Sequence, residues 1–297
     1  MKPMSISPST FKTPAGQARY YAAYEATLAL WPVVVEAREA PTRFGLTHIN
    51  VCGPDEAPPL VLLPGQAVSS TMWFPNIAAL SRAHRVYALD ILGDMGKSVS
   101  TQRLAKPTEF ADWLNEVLDG LHLEAAYVAG LSYGGFIALR LTLSTPERVT
   151  KLVLMSPASL RPIRSRFFLR MAAMFLPAFV LSAQAKQKLV LGVYSPEAVP
   201  VIKQMLTPTD FRYNMYLPPV YTDAELQQVK PPTLLLLGEH EVIYDRHAGL
   251  NRARTLIPNL ETAIIPGAGH ALNFDQPEMV NTRILEFLQK DTGSAED

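Results

Sequence analysis

Short apolar runs alternate with longer helix-like segments through most of the 297 residues, and this alternation restricts the fold more than any other feature. The apolar runs are 42–53, 58–65, 85–90, 125–130, 149–157, 231–239 and 261–270, and the helix-like segments are 13–31, 69–83, 107–123, 133–146, 245–256 and 277–290. Strands that alternate with helices are joined by right-handed crossovers and form a parallel sheet covered on both faces. The sequence therefore predicts an α/β fold with a mostly parallel central sheet flanked by helices.

The alternation stops between residues 160 and 221, a stretch rich in Met, Phe, Leu and Pro that has helical periodicity and no strand-like run. We interpret 160–221 as an inserted helical cap between two parts of one core, 1–159 and 222–297, with a helical extension at about 13–31. The longest apolar stretch, 167–183, contains Arg170 and Pro177 and is too short for a membrane-spanning helix, so we expect no stable membrane insertion.

Charge and cysteine content exclude several classes of protein. Lys plus Arg and Asp plus Glu both number 27, so the balanced charge gives no basic field for nucleic acid and favours a small-molecule substrate. Cys52 is the single cysteine, and the first residues lack the apolar run of a secretory signal, so we expect a cytoplasmic protein. The sequence has no metal-ligand cluster and no glycine-rich phosphate loop, so we expect the protein to use neither a metal nor a cofactor. It does not indicate the oligomeric state.

One serine lies between glycines where a strand-like run meets a helix-like run, in the sequence YVAGLSYGGFIALRL at 127–141. Strand, G-x-S-x-G and helix in this order predict a nucleophile elbow, in which Ser132 occupies a strained turn with its hydroxyl above the sheet. Neighbouring backbone would clash with side chains at Gly130 and Gly134 in such a turn. The alternative is a glycine-rich turn that only packs a helix against a strand.

A serine hydroxyl needs a base to become nucleophilic, and His270 is the candidate among six histidines. It ends the loop PGAGH after an apolar run and precedes the last helix, so the imidazole can swing toward Ser132. The remaining five, for which structural or loop positions are expected, are His48, His84, His122, His240 and His247.

The base in turn needs a carboxylate to fix its tautomer, and Glu239, Glu241 and Asp245 all follow the apolar run TLLLLG. The stretch Gly238-Glu239-His240-Glu241 resembles the G-E-x-D loop of the α/β-hydrolase family. There Glu241 stands where that family usually has Asp, and the order Ser, acid, His is kept. The resemblance favours Glu241 as the acid, with Asp245 next and Glu239 last.

The resemblance also implies an oxyanion hole, formed by the backbone N–H groups of Tyr133 and Gln66. The family usually has His-Gly before the second donor, whereas this chain has Pro64-Gly65-Gln66, which leaves the shape of that loop open. The stretch 87–98 resembles the family loop D-x-x-G-x-G-x-S, with one extra residue between its glycines. This loop is expected to form a wall of the site without a catalytic role. In all, the resemblance spans about 42–160 and 228–290.

A serine nucleophile with a histidine base and an oxyanion hole predicts acyl transfer through an acyl-enzyme, and an ester is the substrate whose leaving group needs least help. The sequence thus predicts a serine carboxylesterase. Alternatives on the same triad are an acyltransferase and a thioester or carbon–carbon hydrolase; a non-catalytic binding protein is the alternative from another class. The insertion could line an apolar acyl pocket, or simply form a cap core, with Phe167, Phe168, Met171, Met174, Phe175, Phe179, Met205, Met215 and Tyr216.

Overall fold

A nine-stranded sheet forms the centre of the computed structural model, which describes residues 11–165, 167, 169, 182, 196–207, 211 and 216–290. The strands are β1 (Glu36–Thr42), β2 (Gly45–Cys52), β3 (Pro59–Leu63), β4 (Arg85–Leu89), β5 (Val99–Ser100), β6 (Ala126–Leu131), β7 (Val149–Met155), β8 (Thr233–Gly238) and β9 (Leu260–Ile265). Their order is β1-β2-β4-β3-β6-β7-β8-β9, and β5 pairs with β2. The pairs from β4-β3 to β8-β9 are parallel, and β2 pairs antiparallel with β1, β4 and β5. The predicted mostly parallel sheet is confirmed.

Helices cover both faces of the sheet. They are α1 (Pro14–Leu28), α2 (Ile77–Leu80), α3 (Pro107–Gly120), α4 (Tyr133–Ser144), α5 (Val199–Leu206), α6 (Asp223–Leu226), α7 (Arg246–Leu256), α8 (Leu272–Asp275) and α9 (Pro277–Gln289). Successive residues of β6 point to opposite faces, since Val128 packs in the core under α3 and α4 while Ala129 packs in the core under α9. Because both faces are buried, the inner strands appear in the sequence as continuous apolar runs.

Several elements differ from the sequence prediction, since the two-residue strand β5 and the short helices α6 and α8 were not predicted. Strand β1 was not predicted, because its residues are mostly exposed and lack the apolar alternation of a half-buried strand. The helix predicted over 69–83 is instead a 3₁₀ turn at Ser70–Trp73 followed by the short helix α2. Pro75 separates these two pieces, and a proline has no backbone N–H with which to continue the helical hydrogen bonds.

The predicted cap lies largely outside the described residues, and so do Phe168, Met171, Met174, Phe175, Phe179 and Met215. Within the described part, Met205 lies in α5, and the side chains of Phe167 and Tyr216 pack against the core above α3 and α4. In the part of the chain that the structure describes, no helix has the length and apolar character needed to cross a membrane.

Arg252 of α7 joins the chain segments on either side of residues 161–220. The guanidinium of Arg252 donates to the carbonyl of Leu160 at 2.6 Å and to the carbonyl of Tyr221 at 2.5 Å, and it pairs with Asp223. The Tyr221 amide also donates to the Ser159 carbonyl at 3.0 Å. The chain segments around Leu160 and Tyr221 thus lie side by side.

Candidate active site

Polar side chains follow four parallel strands at the edge of the sheet where the strands have their carboxyl ends. Gln66 follows β3, Ser132 follows β6, Glu241 follows β8 and His270 lies in the loop after β9. Backbone hydrogen bonds continue between the loops beyond the strands, since the Ser132 amide donates to the Met155 carbonyl at 2.9 Å. Carboxyl ends of parallel strands are where open α/β sheets bind their ligands.

Ser132 occupies a strained backbone conformation between β6 and α4. Its φ of 51° and ψ of −108° lie outside the regions that residues with a side chain normally adopt. A side chain on Gly130 would place its Cβ 2.4 Å from the backbone of Gly134, and one on Gly134 would lie 2.2 Å from the Leu63 carbonyl oxygen. The glycines are therefore needed because three backbone segments meet around this turn, as the sequence predicted.

Glu241 and His270 form a buried hydrogen-bonded pair. Nδ1 of His270 lies 3.0 Å from Oε1 and 2.9 Å from Oε2 of Glu241. The Glu241 side chain is 0% exposed and that of His270 is 7% exposed. The Ile243 amide also donates to Oε1 at 2.8 Å, so the carboxylate is fixed from two sides.

The charge state of Glu241 determines which imidazole nitrogen carries the proton. Burial alone would raise the pKa of the Glu241 carboxyl, but His270 and the neighbouring donors outweigh it and hold the pKa below its usual value. An ionised carboxylate only accepts hydrogen bonds, so the proton of the neutral ring lies on Nδ1. Nε2 is thereby left with a lone pair that can accept a proton.

The other two candidate acids lie apart from the imidazole. Asp245 caps α7 by accepting from the Ala248 amide at 3.0 Å, and it pairs with Arg164 at 2.7 Å. Glu239 is exposed and accepts from the Gly267 amide at 2.8 Å. Of the three acids that the sequence left open, only Glu241 contacts His270.

The loop after β3 lies beside the serine. A Cβ built on Gly65 would lie 4.0 Å from the Cβ of Ser132, so the backbone leading into Gln66 passes close to the elbow. Within the described residues, no acceptor pairs with the backbone N–H of Gln66 or of Tyr133. Tyr133 is the first residue of α4, where backbone N–H groups lack a partner within the helix. Two donors are thus available beside Ser132.

The Ser132 hydroxyl makes no hydrogen bond to any residue that the structure describes, the His270 ring included. Ser132 is half-buried at the end of β6. Hydrogen bonds between catalytic groups are often long in the absence of substrate and shorten when it binds. The geometry therefore joins acid to imidazole directly, and brings serine, donors and imidazole to one edge of the sheet.

One buried acid at this edge was not predicted. Asp94 lies in the loop after β4, is 3% exposed and accepts hydrogen bonds from the Ala67 amide, directly after Gln66. The sequence did contain a trace of it, since the loop carries one residue more than the D-x-x-G-x-G-x-S pattern. A hydrogen bond within this loop also fixes its conformation, since the Ser98 hydroxyl donates to the Asp90 carbonyl at 2.7 Å.

Comparison with known proteins gives consistent relatives. The profile of the alpha/beta hydrolase family matches residues 60–283. The uncharacterized carboxylesterase nap of Bacillus subtilis is 40% identical over 281 residues, covering 93% of this chain and 94% of that protein. Carboxylesterase YbfK of the same organism is 39% identical over 284 residues, covering 91% and 93%. The crystal structure of naproxen esterase (carboxylesterase NP) from Bacillus subtilis superimposes with a TM-score of 0.86 at 38% identity, covering 93% and 99%.

Proposed function

The chain belongs to the α/β-hydrolase family and is a carboxylic ester hydrolase, and from this premise we propose that it works through Ser132, His270 and Glu241 with an acyl-enzyme intermediate. The observation that carries the proposal is the buried hydrogen-bonded pair of Glu241 and His270 at the sheet edge that also bears the strained Ser132. A buried acid that orients an imidazole allows the imidazole to act as a base, and a serine hydroxyl needs such a base to become nucleophilic.

In the proposed reaction, Ser132 Oγ attacks the ester carbonyl carbon while its proton passes to Nε2 of His270. The carbonyl oxygen becomes an oxyanion that accepts hydrogen bonds from the Gln66 and Tyr133 amides. His270 then gives its proton to the leaving alcohol, and an ester bond joins the acyl group to Ser132. Water then attacks the acyl carbonyl carbon while His270 again takes the proton. His270 returns this proton to Ser132 Oγ as the ester bond to the serine breaks, which releases the carboxylic acid and restores the serine hydroxyl.

Glu241 has two roles in this scheme. Its bonds to Nδ1 keep the ring in the tautomer whose Nε2 can accept a proton, and its negative charge stabilises the imidazolium that forms during attack. Because the side chain is fully buried, water screens this charge very little. The longer glutamate side chain is compatible with the role, since both of its oxygens reach the ring.

We propose that the acyl part of the substrate is apolar. Tyr216 is a partly buried aromatic residue next to the elbow helix, and its ring packs on the buried rings of Phe110 and Phe136 with centroids 4.8 and 5.9 Å away. Phe167 packs against the same core from the insertion. Apolar and aromatic side chains are the usual lining of small-molecule sites. The relative named naproxen esterase is consistent with such a substrate.

A fluorophosphonate probe tests the proposed nucleophile. The full-length protein is incubated with the probe, and the modified peptide is identified by mass spectrometry. We expect one equivalent of label on Ser132 and none on Ser132→Ala. Label on another residue, or none on folded protein that hydrolyses p-nitrophenyl esters, would refute Ser132 as nucleophile.

Product analysis separates hydrolysis from acyl transfer on the same triad. With a p-nitrophenyl ester and added alcohols, we expect free carboxylic acid to remain the main product. A new ester as the main product would instead support an acyltransferase. The names of the relatives, which are carboxylesterases, favour hydrolysis.

A further inference from the structure

We propose that Asp94 is a positioning residue for the oxyanion hole: its buried carboxylate fixes the peptide between Gln66 and Ala67, and so aims the Gln66 amide at the oxyanion. The inference rests on the proposed function, because it assumes that Gln66 donates to the developing charge. Asp94 itself is not expected to touch the substrate.

The contacts of Asp94 join two loops through one side chain. The Ala67 amide donates to both carboxylate oxygens, at 3.0 Å to Oδ1 and 3.1 Å to Oδ2. The Met95 amide donates to the same Oδ1 at 2.7 Å. Hydrogen bonds from amides to an ionised acceptor are among the stronger ones in proteins. The loop after β3 is therefore anchored to the loop after β4.

The loop after β3 needs such an anchor because its conformation is unfavourable. Ala67 has φ +63°, in the left-handed region that a residue with a side chain adopts only at a cost. Its amide lies at a partly buried position where an unpaired N–H would cost further free energy. Removing the Asp94 carboxylate would leave both costs uncompensated, and the peptide next to Gln66 would relax.

Gln66 is held on its other side by the insertion. Its side-chain amide donates to the Tyr216 carbonyl at 2.8 Å. The residue is thus fixed by its side chain and by the peptide that follows it, which leaves its own N–H in a defined direction. Two constraints on one donor are what a preorganised oxyanion hole requires.

Two departures from the family pattern are explained together. Pro64 stands where the family usually has a histidine, and the proline side chain has no hydrogen-bonding group. The loop of Asp94 has one extra residue between Gly93 and Gly96, and Asp94 lies between these glycines. The additional carboxylate supplies the loop with an anchor that Pro64 cannot give.

Asp94 lies among groups that favour its neutral form. Burial is the main reason that the pKa of Asp94 is raised to about 7, and the nearby Asp90 raises it further against the bonds from Met95 and Ala67. Tyr133 of α4 and Tyr20 of α1 also face it, and its charge contributes to their raised pKa values. Keeping an acid in such surroundings costs stability, as is common for residues retained for function.

Asp90 gives a matched control. It is an aspartate of the same loop, is 0% exposed, and also holds backbone amides, those of Ser70 and Lys97 at 2.7 and 2.8 Å. Its bonds reach Ser70, at the end of the loop that contains Gln66, but none of them contacts Gln66 or Ala67. A variant at Asp90 therefore disturbs the packing of the same two loops while the bonds to the Ala67 amide stay in place.

The test compares Asp94→Ala, Asp94→Asn, Asp90→Ala and Ser132→Ala in the full-length protein, with p-nitrophenyl ester turnover per site titrated by a fluorophosphonate. For Asp94→Ala we expect kcat to fall at least about tenfold with KM nearly unchanged, because the donor acts mainly in the transition state. Asp94→Asn keeps an acceptor oxygen and should recover most of kcat. Asp90→Ala should lower the melting temperature while kcat per titrated site stays near that of the wild type.

An Asp94→Ala variant with wild-type kcat per site would overturn the inference, and so would an equal loss of kcat in Asp90→Ala. If Asp94→Ala does not fold, Asp94→Ser takes its place, since a serine is too short to reach both amides. Turnover that persists in Ser132→Ala would instead refute the proposed function, and the inference with it. If Ser132→Ala is inactive, as expected, the Asp94 variants alone determine whether the inference holds.

Discussion

Both carboxylate oxygens of Glu241 lie within 3.0 Å of Nδ1 of His270, and the acid is completely shielded from solvent. The two residues are 29 positions apart in the chain and come from the loops after β8 and β9. Gly238, at the end of β8, makes this approach possible, since a Cβ there would lie 1.9 Å from the Gly269 carbonyl oxygen. The sheet therefore determines which acid meets the imidazole.

Replacing Glu241 with glutamine is expected to remove most of the activity. The amide can offer an N–H to Nδ1 and thereby favour the wrong tautomer, and it carries no charge to stabilise the imidazolium. We expect kcat to fall by about 10³- to 10⁴-fold, as for the equivalent change in other triads. Steady-state hydrolysis of a p-nitrophenyl ester measures this effect.

Asp245→Asn and Glu239→Gln are the controls for Glu241→Gln. Both acids are exposed, and neither contacts His270. Their variants should keep kcat within about threefold of the wild type, because their contacts are local caps and surface bonds. A deep loss in either control, with Glu241→Gln still active, would assign the acid role elsewhere.

A methyl group at Gly134 is expected to prevent the elbow from forming. The added Cβ would lie 2.2 Å from the Leu63 carbonyl oxygen, and backbone atoms cannot move away as a flexible side chain can. We expect Gly134→Ala to lower the free energy of unfolding by about 3 kcal/mol or more, or to abolish soluble expression. Denaturant unfolding followed by circular dichroism measures the loss.

Gly120→Ala is the control for that substitution. Gly120 ends α3, and its added Cβ would make only an ordinary contact with the Ala40 Cβ at 3.4 Å. An alanine at a helical position reduces the entropy of the unfolded chain, so this variant should unfold at the same or a slightly higher denaturant concentration. Equal stability of the two variants would show that the elbow tolerates a side chain.

The stability difference between the wild type and Asp94→Asn should depend on pH. The pKa of Asp94 is about 7 in the folded protein against 3.8 as the reference value, so between these limits the folded state binds the extra proton. Wild-type stability relative to the variant therefore falls as pH rises from about 4 to 7, with a limiting slope of about 1.4 kcal/mol per pH unit, and is constant at higher pH. Thermal unfolding at pH 5, 6, 7 and 8 measures the difference. A difference that is the same at all four values would contradict the raised pKa.

Arg252 is expected to stabilise the junction between insertion and core. Its guanidinium, only 15% exposed, donates to the carbonyls of Leu160 and Tyr221 at the two ends of the predicted insertion. Arg252→Ala would leave these acceptors unpaired and should lower the free energy of unfolding by about 2 kcal/mol. Among the described residues Arg254 bonds to Thr262 alone, at the surface, so Arg254→Ala should change the free energy of unfolding by less than about 0.5 kcal/mol. Equal effects of the two would refute the role of Arg252.

Sequence patterns predicted the features that depend on local periodicity. They did not predict the features that depend on packing between segments distant in the chain. The buried strand β6 and the glycines around Ser132 were readable because apolar runs and a steric requirement leave local traces. The preference for Glu241 over Glu239 and Asp245 came from the resemblance to the family loop and not from the local pattern, because all three acids follow β8 within a few residues and only the loop from β9 distinguishes them. The exposed edge strand β1 was missed because it lacks an apolar pattern. The position of Asp94 was missed because it depends on how the loops after β3 and β4 pack together. The cytoplasmic location and the cap over 160–221 stay predictions.

The proposed mechanism depends above all on the hydroxyl of Ser132, and removing that hydroxyl is the most direct test. The values of kcat/KM for a short-chain p-nitrophenyl ester are compared for the wild type, Ser132→Ala and Ser144→Ala, the last being an exposed serine at the far end of the same helix. We expect Ser132→Ala to lose activity by about 10⁴-fold or more with an unchanged melting temperature, and Ser144→Ala to match the wild type. Turnover by folded Ser132→Ala within tenfold of the wild-type value would contradict the account.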